Sequence, residues 1–328
     1  MNRKLLLLLA LSVVGLIVAY RLTGWDFDWT LFFSSLWNVK GGWLAASIVL
    51  SAATYFIRAI RWQVLLNPLK SLRLASLLGT TLIGFCAIYV LGRAGELARP
   101  LWLARREQVP LSSSLATVIV ERFMDTLMLI ALFASALFAI DLPATAGVAL
   151  ALMKNAAWLL VGISAGAIVF LFVFRSNVDR IVRYVPFPKI ADLLHKFAQG
   201  LSFLQSGRSL ALVIVHSAAL WIVIALQFWF LMLGMNFNYS LDATTLVMVV
   251  AGIGSIAQIP GIGGGFQAGY VFSMTTFFLV PAEQAIATSL VAWFFSYAPT
   301  VAAAGIYMLF QGLSLKDLKA VTVSEKPL

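Results

Sequence analysis

Charge is scarce in this chain and cysteine almost absent. Asp, Glu, Lys and Arg together make up only 11% of its 328 residues, less than half the share in a soluble domain, which excludes an ordinary water-facing globular surface. A single cysteine, Cys86, excludes an intrachain disulfide and a thiolate metal cluster. The two histidines, His195 and His216, stand far apart in sequence and argue against a histidine metal centre; no cofactor is expected. No nucleophile–base–acid set and no HExxH pattern occurs. The glycine-rich run from Ile259 to Gln267 lacks the Lys-Ser/Thr ending of a phosphate loop, so nucleotide binding is excluded.

What is present is hydrocarbon. Apolar residues form 62% of the chain and the mean hydropathy is +0.96. This composition predicts an all-α, polytopic integral membrane bundle, a single transmembrane domain over 1–328. The net charge of +10 falls between apolar runs, so it points to anionic lipid headgroups as partners and not to nucleic acid.

Apolar stretches lie near 5–20, 42–57, 74–91, 112–140, 156–174, 209–234, 243–259, 266–281 and 285–311. The first, 1–20, resembles a signal peptide but shows no small-x-small cleavage site, so an uncleaved span is expected. Lys and Arg concentrate before the first stretch, after the second and third, in 175–208 and after 311, which predicts cytoplasmic N- and C-termini. Segment 74–91 is then flanked by basic residues on both sides. A re-entrant hairpin broken at Gly79, Thr80, Thr81 and Gly84 resolves that conflict, because irregular backbone at depth is tolerated where protein or water surrounds it. Residues 243–281 read either as two short crossings or as a second hairpin, and the hairpin is favoured. Two glycine-rich broken elements of opposite orientation predict an inverted-repeat character. The loop 175–208 carries an amphipathic helix at 189–204, with Ile190, Leu193, Leu194, Phe197, Leu201 and Leu204 on one face; 312–328 is expected to be a cytoplasmic tail.

The charges and polar residues that remain in the apolar runs are the candidate site. Arg58, Arg61 and Trp62 share a helical face; they read either as interfacial anchors or as a clamp on a phosphate, which a planar guanidinium meets with two hydrogen bonds. Arg93, Glu96 and Arg99 recur at three-residue steps beside Gly92 and Gly95, where a helix is expected to restart. Glu121, Arg122 and Asp125 interrupt the longest apolar run. Charges in a span are costly, so they read as an interhelical ion network, a proton or cation relay, or a ligand contact in a hydrated cleft. Gln258 and Gln267 flank Pro260, Gly261, Gly263, Gly264 and Gly265, where free N–H groups at a helix start would hold an anion.

Taken in order, Arg58-x-x-Arg61-Trp62, Gly92-Arg93-x-Gly95-Glu96-x-x-Arg99, Glu121-Arg122-x-x-Asp125 and Pro260-Gly261-x-Gly263-Gly264-Gly265 resemble the lysylphosphatidylglycerol synthase transmembrane region family, flippase-like proteins of bacteria and archaea. The resemblance covers about residues 40 to 310. It implies movement of a phospholipid or lipid-linked anionic molecule between leaflets of the inner membrane, with an anionic headgroup as cargo. The chain is similar to the stand-alone branch without a synthase domain; a separate lipid-modifying enzyme and a homo-oligomer are the partners this suggests. Many members carry an acid where this chain has Gln267, so any proton coupling there would pass to Glu121 or Asp125. Two other classes stay open: a membrane enzyme acting on a polyprenyl-type or phospholipid substrate, and an accessory scaffold.

Overall fold

The computed structural model describes residues 26–140, 147–259 and 263–312. The first span at 1–20, the tail at 313–328, and Pro260 and Gly261 lie outside the described residues. Eleven α-helices account for nearly all of the described residues: α1 (Trp29–Trp37), α2 (Gly41–Leu66), α3 (Leu74–Leu91), α4 (Ala98–Glu107), α5 (Leu111–Ala139), α6 (Gly147–Arg183), α7 (Pro188–Gly200), α8 (Gly207–Gly234), α9 (Leu241–Gly254), α10 (Gly265–Phe277) and α11 (Ala282–Phe310). The described strands are two-residue pieces, β1 (Gln258–Ile259) and β2 (Gly263–Gly264), paired antiparallel. α2, Val161–Arg183 of α6, α8 and α11 are long and apolar enough to cross a bilayer. The 29 residues of α5 reach about 43 Å and carry the three charges Glu121, Arg122 and Asp125.

α2 and α8 form the axis of the bundle, packed along their length. The end of α8 lies at the start of α2, where the Lys40 N–H donates to the Gly234 carbonyl at 2.7 Å and the Asn236 amide donates to the Asn38 carbonyl at 2.6 Å. The two helices are therefore antiparallel, and each leads into a helical hairpin.

The first hairpin differs from its sequence reading. Residues 74–91 do not fold back on themselves; α3 is one uninterrupted helix. The chain reverses in a 3₁₀ turn, Gly92–Leu97, and returns as α4. Gly79 and Gly84 are not breaks but contact points. A methyl group on Gly84 would stand 2.6 Å from Arg99 Cβ, and one on Gly79 would stand 2.0 Å from Tyr307 Cζ. The two basic flanks do meet at one end: Lys70 Nζ donates to the Glu107 carbonyl at 2.6 Å, and the Ser76 hydroxyl donates to Glu107 Oε1 at 2.5 Å.

The second hairpin is α9, β1, β2 and α10. Its limbs of 14 and 13 residues reach only about 20 Å each, short of the roughly 30 Å hydrocarbon layer. Glycines bring them together: a methyl on Gly269 would stand 2.5 Å from the Val250 carbonyl oxygen and 3.0 Å from Ala251 Cα. At its open end Tyr239 stacks on Phe278 at 4.8 Å.

The first hairpin opens where α2 ends, the second where α8 ends, so they open at opposite ends of the bundle. Their tips meet, the 3₁₀ turn coming within 8 Å of β1, Cα to Cα. Each half thus runs long helix, hairpin, long helix (α2, α3–α4, α5; then α8, α9–α10, α11) in opposed directions. The halves are also laced together, α11 against α3 and α5 against α9.

The region 175–208 is less of a loop than its charge suggests. α6 continues through Arg183, and α7 docks on α5, where Gly200 lies against the Ser113 carbonyl and the Ser113 hydroxyl donates to the Lys196 carbonyl. Of the expected apolar face, Leu201 is fully buried and Leu194 and Phe197 are half-buried, while Ile190 and Leu193 stay exposed.

Candidate functional site

α5 carries a polar stripe, Ser114, Thr117, Glu121 and Asp125, at three- and four-residue steps that keep it on one helical face. That face meets α2, α4 and α8. Arg61 of α2 is completely buried. Its Nη1 donates to Asp125 Oδ1 at 2.7 Å and to the Ser217 hydroxyl of α8 at 3.1 Å, and its Nε lies 3.6 Å from Glu121 Oε1. Arg99, on the return limb of the first hairpin, forks onto the same carboxylate: Nη1 bonds Glu121 Oε2 and Nη2 approaches Oε1 at 3.4 Å. The Arg99 guanidinium also lies over the Trp62 ring at 3.7 Å, and the Trp62 indole donates to Thr117 at 3.0 Å.

The carboxylates thus serve as counter-ions. Glu121 has no exposed surface and is gripped by two arginines. A buried charge survives only when paired and hydrogen-bonded, and here the pairing also ties the first hairpin to α5 and α2. The hydrated cleft expected around the three α5 charges is therefore only partial. Arg122 alone among them is substantially open, its side chain 38% exposed and 3.8 Å from Asp125 Oδ2.

Beside this sealed network lies a cavity of about 620 Å³. α5 and the second hairpin form its main walls, with Trp221 of α8. Its polar wall is Arg58, Arg122, Asp125 and Thr126; Leu129, Phe133, Val249 and Phe272 are among its apolar lining. Ile253, Ile256 and Phe272 are exposed, so the cavity opens between helices toward the surroundings of the bundle. Arg58 lies over the Phe85 ring of the first hairpin at 4.7 Å, and among the described residues no carboxylate lies within 4 Å of it.

The sequence candidates therefore separate. Arg61, Trp62, Arg99, Glu121 and Asp125 converge in the ion network, and Arg58 and Arg122 face the cavity with Asp125. Arg93 and Glu96 lie in the 3₁₀ turn, apart from the helix that carries Arg99. Gln258 is in β1, and Gly263, Gly264 and Gly265 form β2 and the start of α10. Gln267 does not present its acceptor to a ligand: Oε1 accepts the Gly264 N–H at 2.7 Å, capping α10 beside a glycine at φ 84°. Its side-chain oxygen satisfies one of the free donors assigned to an anion. Sequence reasoning missed Thr117, Ser217 and Trp221. Their signal was four-residue spacing, Thr117 with Glu121 and Ser217 with Trp221, whose indole donates to Asp125 at 3.2 Å.

The chain matches the lysylphosphatidylglycerol synthase TM region over residues 6–304. It belongs to that family. No curated protein and no solved structure matches it. Family membership and the membrane-spanning helices make it a multi-pass integral membrane protein tied to lipid metabolism or transport.

Proposed function

We propose that the protein moves a phospholipid or lipid-linked anionic molecule between leaflets, with the headgroup in the cavity between α5 and the second hairpin and the hydrocarbon chains left in the bilayer. The observation that carries this reading is the cavity's division: two arginines with Asp125 and Thr126 on one wall, mostly apolar side chains elsewhere, and an exposed apolar rim. A guanidinium recognises a phosphate oxygen by charge and by directed N–H donors. The position beside the meeting tips of two opposed hairpins gives a headgroup a polar stop part-way across.

Lys70, Arg73, Arg105, Arg106, Lys189 and Lys196 stand with Glu107 and Asp192 at the end where the first hairpin opens, and Lys40 with Asp242 and Glu283 at the other, so positive charge gathers at the first end. By the positive-inside rule the first end is cytoplasmic. An enzymatic reading finds less support, because Glu121 and Asp125 are each held by Arg61 and neither is free for acid–base work.

The test is reconstitution in vesicles with tail-labelled phosphatidylglycerol, following loss of label accessible to an external quencher. Wild-type protein should speed exchange between leaflets over protein-free vesicles, and Arg58→Gln should slow it by roughly tenfold, the effect of about 1.4 kcal/mol. Wild-type rates no faster than bare vesicles, with labelled phosphatidylglycerol and with labelled phosphatidic acid alike, would end the proposal.

A further inference from the structure

The charge count inside the bundle narrows the headgroup. Among the described residues, four guanidinium groups (Arg58, Arg61, Arg99 and Arg122) surround two carboxylates, Glu121 and Asp125. Arg61 and Arg99 hold the carboxylates with short contacts. Among the described residues, the surplus falls on Arg58, which has no acid within 4 Å, and on Arg122, whose one ion-pair contact is the 3.8 Å approach to Asp125. Both surplus groups line the cavity. Two uncompensated charges at membrane depth are costly, and a ligand of two negative charges would cancel them.

Resting on the translocation reading, we infer that the preferred headgroup is a dianionic phosphate monoester on a lipid, and not a phosphodiester. A monoester carries about −1.5 to −2 at neutral pH and offers three acceptor oxygens, enough for both arginines. A phosphodiester carries a single charge and leaves one arginine uncompensated, and a zwitterionic headgroup would bring an ammonium group to an already positive wall. The apolar lining and exposed rim assign the phosphate to a lipid; a free phosphate would make no use of either.

The experiment is lipid competition on purified full-length protein, read by native mass spectrometry. Equimolar phosphatidic acid, phosphatidylglycerol and phosphatidylcholine of matched chains are offered at pH 7.5. Phosphatidic acid should be enriched over phosphatidylglycerol by roughly tenfold, and phosphatidylcholine should be retained least. Arg58→Gln and Arg122→Gln should each bring the ratio close to one, with helical circular dichroism unchanged, while Arg58→Lys keeps part of the preference. At pH 5, below the second monoester pKa of about 6, the wild-type preference should shrink.

Equal retention of the three lipids by the wild type, or an enrichment that both glutamine variants preserve, would overturn the inference. Displacement of phosphatidic acid by millimolar glycerol phosphate or inorganic phosphate would reassign the site to a soluble phosphate. Because binding is read apart from movement, enrichment without leaflet exchange would sink the translocation reading and spare this one. Exchange of phosphatidylglycerol without enrichment would do the reverse.

Discussion

The two hairpins share a shape and close glycine contacts, at Gly84 and Gly95 in the first and at Gly254, Gly265 and Gly269 in the second, and differ in charge. In the first, polar chemistry adds to that packing: Glu107 fastens the open end to Lys70 and Ser76, and Arg99 ties the return limb into the Glu121 network. The second contains one charged residue, Asp242, at its very start. Backbone contact at Gly254, Gly265 and Gly269 joins its limbs, and the Tyr239–Phe278 stack closes its end. A limb anchored by buried ion pairs resists displacement, because pulling it away strands a charge. A limb held by close packing loses only dispersion and area as it shifts. The cavity is walled by the second hairpin, and the sealed network by the first. If the bundle moves to pass a headgroup, the second hairpin is the part that moves.

The sharpest way to break this contrast is to remove the shared counter-ion. Glu121→Ala leaves Arg61 and Arg99 buried together without it, and the loss of one partner from a buried ion network costs about 3–5 kcal/mol. The thermal unfolding midpoint in detergent should fall further than for any change to a packing glycine, a helix cap or a hairpin end. An unchanged midpoint would mean that the network does not hold the first hairpin. A smaller effect is expected on the other side. Gly269→Ala sets a methyl against the Val250 carbonyl, whereas Gly252→Ala meets nothing within 4 Å. Overpacking of this kind costs about 1–3 kcal/mol, so Gly269→Ala should lower the midpoint while Gly252→Ala does not. Equal effects would remove glycine packing as the cement of the second hairpin.

Much of this contrast was legible in the chain. Basic residues on both sides of 74–91 required the chain to return to the end it left; it does so only at Arg105 and Arg106, while Arg93 and Arg99 stay at the tip and in the buried network. The reversal lies at Gly92–Leu97 and not at Gly79–Gly84, because glycine is not always a helix breaker. Inside an apolar helix glycine also serves as a groove, and Gly79 and Gly84 serve Tyr307 and Arg99 that way. The charged residues were legible as a group, since each interrupts an apolar run; their partners were not. Arg122 and Asp125 are close in sequence, yet Asp125 makes its short contact to Arg61, 64 positions away. Spacing along one helix shows which residues share a face. It does not show which other helix that face will meet, and the division of four arginines into two that pair and two that face the cavity depends on that meeting.

Gln267 sharpens the comparison by a smaller amount. As a ligand-binding side chain its loss would alter lipid binding and leave stability alone. As the cap of α10 its loss should do the opposite, since removing a helix N-terminal cap costs about 0.5–2 kcal/mol. Gln267→Ala should therefore lower the unfolding midpoint modestly and leave lipid retention unchanged. Gln267→Glu, which keeps an acceptor in place and adds a charge favoured at a helix start, should recover stability. A stable Gln267→Ala variant that no longer retains lipid would return this residue to the binding site.

The smallest expected effect separates the two open ends. Ser76→Ala deletes one hydrogen bond to Glu107, a net contribution of about 0.5–1.5 kcal/mol, while the Lys70 bond to the Glu107 carbonyl remains. Tyr239→Leu keeps an apolar residue but deletes the ring stacked on Phe278, and aromatic pairs contribute about 0.5–1.5 kcal/mol beyond their buried area. The two substitutions should thus be close in stability and differ in what they loosen. A cysteine at Thr275, near the end of α10, should label faster in the Tyr239→Leu background and at the parent rate with Ser76→Ala. If Ser76→Ala accelerated labelling at Thr275 as strongly, the hairpins would be opening together, and the separate roles assigned to them would fail.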